Sequence, residues 1–402
     1  MKKILFGSYL LAIVIVIHLI LKAGPIQLME YSEPLVVRVL LESKEAKNGT
    51  LWTIESDEGF AVSDPYDTAR HQTVELQKIE VGLKRNSILT VNNRRLLVNR
   101  VRLEATKGLL HVNGHSYKGC FYIIKQDDKV LLINTLELED YVECGLRWEL
   151  IPSWPVAALE SGAVAYRTYV AKLIQDGYKK FGKNKEGRWY DIGCTWMTQC
   201  YRGVHQYASI HEAVRNTRGQ VLTHKGQPIS AIYGAACGGI VPSCRSDVDG
   251  IRMPYLARSY RCTHCKPCKY FRWSVRLSYE ELTEKLKHLL PRHPRINDVK
   301  IVDRDSSGFV KKISVYTNHM WVSLQASKVV AAIPQMKSST FSISKIGHFV
   351  TFKGSGFGHQ LGFCQWGAFG LAKRGWNYRK ILKFYYPGTI IMKFEDSKHA
   401  RV

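Results

Sequence analysis

Short runs of alternating apolar and polar residues fill the chain after residue 34. Leu35–Leu41 is rich in β-branched residues, and Leu51–Glu55 alternates between the bounding glycines Gly49 and Gly59. Both patterns are typical of β-strands that bury one face. We therefore predict short strands from Pro34 to about residue 103, in a β-rich region without a candidate catalytic set.

The pattern stays strand-like beyond residue 109 and then becomes helical. His111–His115 is typical of a hairpin, and Lys129–Asn134 of a buried strand. Ser153–Pro155 then places a polar cap and a proline at a helix start. The predicted helices are Val156–Asp176, Tyr279–Leu290 and Tyr378–Phe384. Strands and turns between these helices predict an α+β fold.

The N-terminus has the pattern of an export signal. Lys2 and Lys3 precede Ile4–Leu21, eighteen residues without a formal charge. This run is close to the roughly 20 residues that a spanning helix needs, and the two lysines would stay cytoplasmic. We expect a single-pass signal anchor at residues 1–23 and the remainder on the extracytoplasmic side of the cell membrane. A cleaved signal peptide is the alternative, although Leu21–Ala23 is a poor cleavage site.

Charge narrows the choice of partner. The net charge is +24, and hydrophobic residues make up 45% of the 402, as in globular proteins. A basic surface attracts nucleic acid, anionic lipid or acidic wall polymers. Export, and the lack of a zinc-finger or helix-turn-helix pattern, argue against nucleic acid. They favour the membrane and the wall, with a basic surface that has no specific partner as the plain alternative.

Three segments, in order along the chain, resemble the SpoIID/LytB family of peptidoglycan-acting proteins. Residues 138–169 are similar to the family's L-E-D-Y, E-M-P-x-S-W-P and A-V-A-A-R-T-Y motifs, and a second group comprises residues 199–203, 237–239 and 254–256. Residues 354–389 are similar to G-x-G-x-G-H-G-V-G-M-S-Q-W-G-A and I-L-x-x-Y-Y-P-G-T. Gly162, Gln360 and Cys364 depart from the pattern, where the family has Gln, Gly and Ser.

The resemblance implies a domain organisation. It covers about residues 105–394 and implies a mixed α/β SpoIID-like catalytic domain there. The anchor at 1–23 and a β-rich N-terminal region at 24–104 would precede this domain. A C-terminal tail at 395–402 would follow it.

Glu149 is the candidate catalytic residue. It stands between Trp148 and the apolar pair Leu150–Ile151, shortly before a predicted helix. Apolar surroundings disfavour the charged carboxylate and raise its pKa, as a general acid at neutral pH requires. A helix cap or a salt bridge is the alternative use of such a glutamate. The resemblance maps the family's proposed catalytic glutamate onto Glu149.

The activity implied by the resemblance is lytic transglycosylation of peptidoglycan glycan strands between MurNAc and GlcNAc, without a cofactor, to give 1,6-anhydro ends. Hydrolysis normally uses two carboxyl groups, whereas the resemblance supplies one. The substrate-binding candidates are Arg167, Tyr201, His359, Gln365 and Trp366. Ion pairing is the alternative role of Arg167, and core packing that of Tyr201. The alternative function is a non-catalytic wall-binding protein that stimulates a partner N-acetylmuramoyl-L-alanine amidase.

The cysteines form a dense cluster late in the chain. Cys262, Cys265 and Cys268 have repeated C-x2-C spacing, which suits a tetrahedral thiolate metal site. Cys237 or Cys244 would supply the fourth ligand. Zinc held there would be structural, because four sulfur ligands leave no open position. Disulfides, which export permits, and free thiols are the alternatives, and an iron–sulfur cluster does not fit an oxidising compartment.

Overall fold

The computed structural model describes residues 35–394, apart from 85–87, 182–188, 196–197, 242–252, 259 and 292. The predicted anchor and Cys244 lie outside the described residues. Within the described part, no helix is both long enough and apolar enough to cross a membrane. The signal anchor and its topology therefore stay predictions.

Strands make up most of the regular structure. In chain order they are β1 (Val36–Glu45), β2 (Gly49–Ser56), β3 (Phe60–Asp64), β4 (Asp67–Val74), β5 (Lys78–Lys84), β6 (Ile88–Val91), β7 (Arg94–Arg95), β8 (Arg100–Ala105), β9 (Leu110–Val112), β10 (His115–Tyr117), β11 (Cys120–Gln126), β12 (Lys129–Glu137), β13 (Ile192–Gly193), β14 (Gln220–His224), β15 (Gln227–Pro228), β16 (Tyr233–Gly234), β17 (Arg272–Ser278), β18 (Ile296–Arg304), β19 (Val310–Thr317), β20 (Met320–Gln325), β21 (Phe341–Ile346), β22 (Phe349–Ser355), β23 (Phe363–Cys364) and β24 (Ile390–Lys393).

The helices are fewer and shorter. They are α1 (Leu138–Glu149), α2 (Val156–Phe181), α3 (Ala208–Asn216), α4 (Tyr279–Leu286), α5 (Ala326–Ala332), α6 (Gln365–Ala372) and α7 (Tyr378–Tyr385), with short 3-10 turns at Pro254–Leu256 and Lys287–Leu289. The mixture confirms the α+β fold class and the β-rich N-terminal region.

Two sheets carry the first half of the chain. One has the order β13-β1-β12-β11-β8-β3-β4, and the other β10-β9-β2-β5-β6-β7. β12 is buried from Val130 to Leu136, as its nearly continuous apolar run predicts. β1 pairs antiparallel with β12, so strands on both sides of residue 105 share one sheet. The division at 104/105 stays a prediction, and this shared sheet joins the two parts closely.

The predicted hairpin at His111–His115 is present, and a second turn has the same geometry for the same physical reason. Asn113 and Gly114 join β9 to β10 with φ angles of 52° and 76°, and Asn92 and Asn93 join β6 to β7 with 47° and 63°. Two consecutive positive φ values are typical of the type I′ turn, which suits the twist of a two-residue hairpin. Asparagine and glycine adopt this conformation at low cost.

Helices α1 and α2 bring Glu149 into the fold. The sequence predicts α2 from its alanines but not α1, whose buried side chains include Leu138, Tyr141, Val142 and Leu146 on one face. Glu149 therefore does not merely precede a helix: it is the last residue of α1.

A separate hydrophobic core lies between residues 272 and 355. The sheets β17-β22-β21 and β18-β19-β20, with α4 and α5, enclose it around Leu282, Val299, Ile313 and Phe352. Ser278 caps α4 through a reciprocal capping box with Glu281. We call residues 272–355 the inserted unit. The segment before it, with Cys262 and Cys265, and the segment after it, with Cys364 and the start of α6, lie next to each other.

Candidate active site

Glu149, at the end of α1, accepts hydrogen bonds from two distant parts of the chain. Its Oε1 accepts a hydrogen bond of 2.7 Å from the backbone N–H of Cys200, and its Oε2 accepts one of 3.3 Å from Gln365 Nε2. The side chain is half-buried. Because both oxygens are already oriented by fixed donors, the carboxyl group has a defined position at the end of α1.

The surroundings raise the pKa of the Glu149 carboxyl above its usual value. Burial is the largest cause, and the hydrogen bonds from Cys200 and Gln365 oppose it only in part. The position at the C-terminus of α1 disfavours negative charge as well, since the helix dipole places its negative end there. A raised carboxyl pKa is what general acid catalysis near neutral pH needs.

Two further groups face the carboxyl. The buried Tyr233 hydroxyl lies near enough to Glu149 to lower its pKa, yet it completes no full hydrogen bond with any described group. The Cys200 thiol also interacts with Glu149, and burial, followed by the negative carboxylate, raises the pKa of Cys200 to about 11. The thiol and the phenol therefore remain protonated near neutral pH and can act as donors. Sequence reasoning missed Tyr233, because no recognised motif contains it.

A layer of tyrosines supports the segment that donates to Glu149. Tyr141 Oη donates to Gln199 Oε1 at 2.9 Å, and Gln199 Nε2 donates to the Tyr166 carbonyl at 3.1 Å. Tyr166 Oη donates in turn to the Cys200 carbonyl at 3.1 Å. This network fixes the backbone of Cys200, whose N–H holds Glu149.

Three of the predicted substrate-binding residues lie in or beside this site. Gln365 contacts Glu149 directly. Trp366 packs against Trp154 with ring centres 5.1 Å apart, and His359 Nε2 lies 2.7 Å from the carbonyl oxygen of Tyr233. His359 thus holds the backbone of the strand that carries Tyr233.

The other two are enclosed by protein. Arg167 is fully buried and forms a two-pronged ion pair with Glu139, with both N···O distances 2.8 Å. Tyr201 is 2% exposed, and its hydroxyl donates to Asn134 Oδ1 at 2.5 Å. These are the ion-pairing and core-packing alternatives set out above, and a substrate-binding role for either residue stays a prediction that this geometry does not support.

A stack of cationic and aromatic side chains borders the site. The Arg202 guanidinium lies 5.2 Å from the Trp148 ring centre, and the Arg147 guanidinium lies 5.5 Å from Trp148 and 4.6 Å from Tyr207. Arg202 and Tyr207 are exposed. Flat aromatic faces and guanidinium groups together suit a ligand with apolar faces and anionic substituents. Of these residues, sequence reasoning considered Trp148 only as an apolar neighbour of Glu149.

The cysteine cluster differs in one member from the predicted set. Cys237, Cys262, Cys265 and Cys364 are all buried, and their sulfurs lie within 4.8 Å of one another. Cys268 is buried in the same loop, but its sulfur is not in this group. None of the nine cysteines in the described residues forms a disulfide. Four such sulfurs can hold a metal ion.

The departures from the family motifs have local explanations. A Cβ at Gly162 would collide with Leu150 Cδ1, next to Glu149. Gln360 has a φ of 64°, which favours glycine, yet its buried amide donates to the carbonyls of Cys237 and Ser355 at 2.9 and 2.8 Å. Cys364 is one of the four clustered cysteines.

Comparison with known proteins identifies the family of this site. A family model described as Stage II sporulation protein matches residues 126–224, which include Glu149 and Cys200, and one described as a domain of unknown function (DUF8618) matches residues 256–362. The second match covers the inserted unit. Gln365 lies beyond both matches.

Curated relatives extend the match over most of the chain. An uncharacterized protein of Brachyspira hyodysenteriae is 31% identical, over 78% of this chain and 84% of that protein. Stage II sporulation protein D of Bacillus subtilis is 25% identical, over 64% of this chain and 75% of its own length. The amidase enhancer of Bacillus subtilis is 25% identical, over 61% of this chain but only 39% of the enhancer. Together with the sequence motifs, these matches show that the chain belongs to the SpoIID/LytB family.

Proposed function

We propose that this protein is a peptidoglycan lytic transglycosylase with Glu149 as its single catalytic carboxyl group. The observation that carries the proposal is the half-buried Glu149 carboxyl with a raised pKa, held by Cys200 and Gln365. The groups with described contacts to this carboxyl are an amide N–H, a side-chain amide, a thiol and a phenol. None of them is a second carboxylate, which favours an intramolecular reaction over hydrolysis.

Glu149 acts first as a general acid and then as a general base. Glu149 protonates the glycosidic oxygen between MurNAc and GlcNAc, and the bond from that oxygen to C1 of MurNAc breaks. The resulting carboxylate accepts the proton of the MurNAc C6 hydroxyl, whose oxygen bonds to C1. The products are a 1,6-anhydro end and a free GlcNAc hydroxyl, and Glu149 regains its proton without consumption of water.

The neighbouring groups have supporting roles in this proposal. Gln365 and the Cys200 N–H stabilise the carboxylate that forms after the first proton transfer. The stack of Trp148, Arg147 and Arg202 would lie along the glycan, whose stem peptides carry carboxylates. An extracytoplasmic position, with the predicted anchor in the cell membrane, would place the site next to its substrate.

We also propose zinc for the four-cysteine cluster, in a structural role. Zinc–sulfur bonds of about 2.3 Å in a tetrahedron separate the sulfurs by about 3.8 Å. The Cys237 and Cys265 sulfurs are 3.7 Å apart, far beyond a disulfide bond of about 2.05 Å. The spacing therefore fits a metal better than disulfides.

The name of one relative, the amidase enhancer, supports the alternative of a wall-binding protein that stimulates an amidase. One experiment separates the two functions. Purified full-length protein is incubated with intact peptidoglycan, with and without an N-acetylmuramoyl-L-alanine amidase, and the products are identified by mass spectrometry. A transglycosylase releases anhydro-muropeptides without amidase, or peptide-free 1,6-anhydro sugar fragments from strands that the amidase has stripped. An enhancer raises the rate of peptide release and leaves the glycan uncut.

A further inference from the structure

The four clustered cysteines lie where the inserted unit joins the rest of the protein. Cys262 and Cys265 precede its first strand, β17, whereas Cys364 follows its last strand, β22, about a hundred residues later. Cys237 follows β16, which pairs in parallel with β23, the strand that contains Cys364. A metal bound by these sulfurs would connect three chain segments at one point.

A buried arginine beside the cluster indicates that the cluster carries negative charge. Arg258 is 3% exposed, and its Nε and Nη1 have no hydrogen-bond partner among the described residues. Its guanidinium interacts with the sulfurs of Cys237 and Cys262. Arginine remains charged in proteins, and a buried charge requires an opposite one. Among the described residues, a divalent ion with four thiolates, of net charge −2, would provide it.

Backbone donors also point at the sulfurs. The N–H groups of Cys237 and Gly367 both lie 3.3 Å from Cys364 Sγ, and Tyr385 Oη lies 3.2 Å from Cys262 Sγ. Donors of this kind stabilise and orient metal-bound thiolates. The Arg258 charge and these contacts are independent observations, and both fit metal-bound thiolates.

Helix α6 begins at the cluster and lies directly on it. Cys364 caps α6, and a Cβ at Gly367 would collide with the Tyr385 hydroxyl and lie 2.9 Å from Cys262 Sγ. The first residue of α6 is Gln365, the residue that donates to Glu149. The cluster and the candidate catalytic carboxyl are therefore connected through one peptide bond, from Cys364 to Gln365.

We propose that a metal–thiolate centre of Cys237, Cys262, Cys265 and Cys364 fastens the base of the inserted unit to α6 and so positions Gln365 against Glu149. This inference rests on the zinc proposed above. It explains why Gln360 and Cys364 both depart from the family motifs, since Gln360 holds the Cys237 carbonyl and Cys364 is a ligand. Metal loss should release the start of α6 while the core of the inserted unit stays intact.

Hydrogen–deuterium exchange on the full-length protein in detergent tests this without reference to activity. Zinc is measured first by mass spectrometry, and then removed by a chelator in the presence of a reductant that keeps the thiols free. We expect about one zinc per chain, and at least tenfold faster exchange at residues 364–368, whose Trp366 N–H bonds to the Ala235 carbonyl at 3.0 Å. Residues 310–325, in β19 and β20, are the internal control and should not change.

The matched variants are Cys364→Ser and Cys268→Ser. Both replace a buried cysteine, but only Cys364 is in the cluster. Cys364→Ser should lose zinc and show the faster exchange, and Cys268→Ser should do neither. Protein without zinc overturns the zinc proposal and this inference with it. If the protein binds zinc, but the amides of residues 364–368 exchange at the same rate with and without the metal, only the positioning role is overturned. If Cys364→Ser does not fold, the chelated wild type decides between these results.

Discussion

Gln365 Nε2 lies 3.3 Å from Glu149 Oε2, although the two residues are 216 positions apart in the chain. Glu149 ends α1, and Gln365 begins α6. The contact joins the segment matched by the sporulation family model to a helix beyond both matched segments. The site therefore depends on packing between distant parts of the chain.

Loss of this contact should change the pH dependence of glycan cleavage. The hydrogen bond from Gln365 lowers the pKa of Glu149, so Gln365→Ala should raise that pKa further. The acid form of Glu149 then persists to higher pH, so the alkaline limb of the profile of kcat/KM against pH shifts to higher pH. Gln325→Ala, at the exposed end of β20, is the control. An unchanged or downward-shifted limb would show that Gln365 does not act on the catalytic carboxyl.

Glu149 should also leave a signature in stability. Its pKa is raised in the folded protein, so the fold loses stability as pH rises from the unfolded value towards the folded one and the buried carboxyl ionises. The side chain at position 149 does not titrate in the Glu149→Gln variant. The thermal midpoint of the variant minus that of the wild type should therefore be larger at pH 8 than at pH 4. Glu212→Gln, exposed on α3, controls for the lost charge. A gain that is the same at both pH values would contradict the raised pKa.

Substitution of Arg167 tests whether this residue stabilises the fold or binds substrate. Arg167→Met leaves Glu139, whose side chain is only 15% exposed, without its ion-pair partner; breaking a buried ion pair typically costs about 3–5 kcal/mol. Lys172→Met, in an exposed i,i+4 pair with Asp176 on the same helix, should cost less than about 0.5 kcal/mol. Urea unfolding measures both. A variant of wild-type stability that no longer binds glycan would support the substrate-binding role instead.

The sequence predicts the elements whose pattern is local. The alanine-rich run predicts α2, although the helix continues past Gly177 to Phe181, and the apolar run at Lys129–Asn134 predicts the buried strand β12. It does not reveal α1, which lacks a side-chain N-cap. It also does not reveal α6, because Gly367 and Gly370 are poor helix formers. Tertiary packing decides there: a Cβ at Gly370 would collide with the His264 carbonyl.

The same limit applies to the site. The motifs select Glu149 and Gln365 but cannot show that they touch. Close spacing grouped Cys268 with Cys262 and Cys265, whereas in the fold Cys364, from beyond the inserted unit, takes the place of Cys268 in the cluster. Tyr233 belongs to a two-residue strand without a motif, so only the three-dimensional structure places its hydroxyl near Glu149.

The most direct measurement of the central claim compares wild type, Glu149→Gln and the control Glu212→Gln on isolated glycan strands, with and without stem peptides. Glu149→Gln keeps the shape of the side chain and removes its titrating proton. General acid–base catalysis contributes about 10²–10⁴-fold, so release of 1,6-anhydro ends should fall at least about 100-fold in Glu149→Gln and persist in Glu212→Gln. Glycan binding should survive in all three. If the wild type binds both kinds of strand but cuts neither, the transglycosylase account is wrong and the amidase-stimulating binder replaces it; if it cuts and leaves ordinary reducing ends, the reaction is hydrolysis.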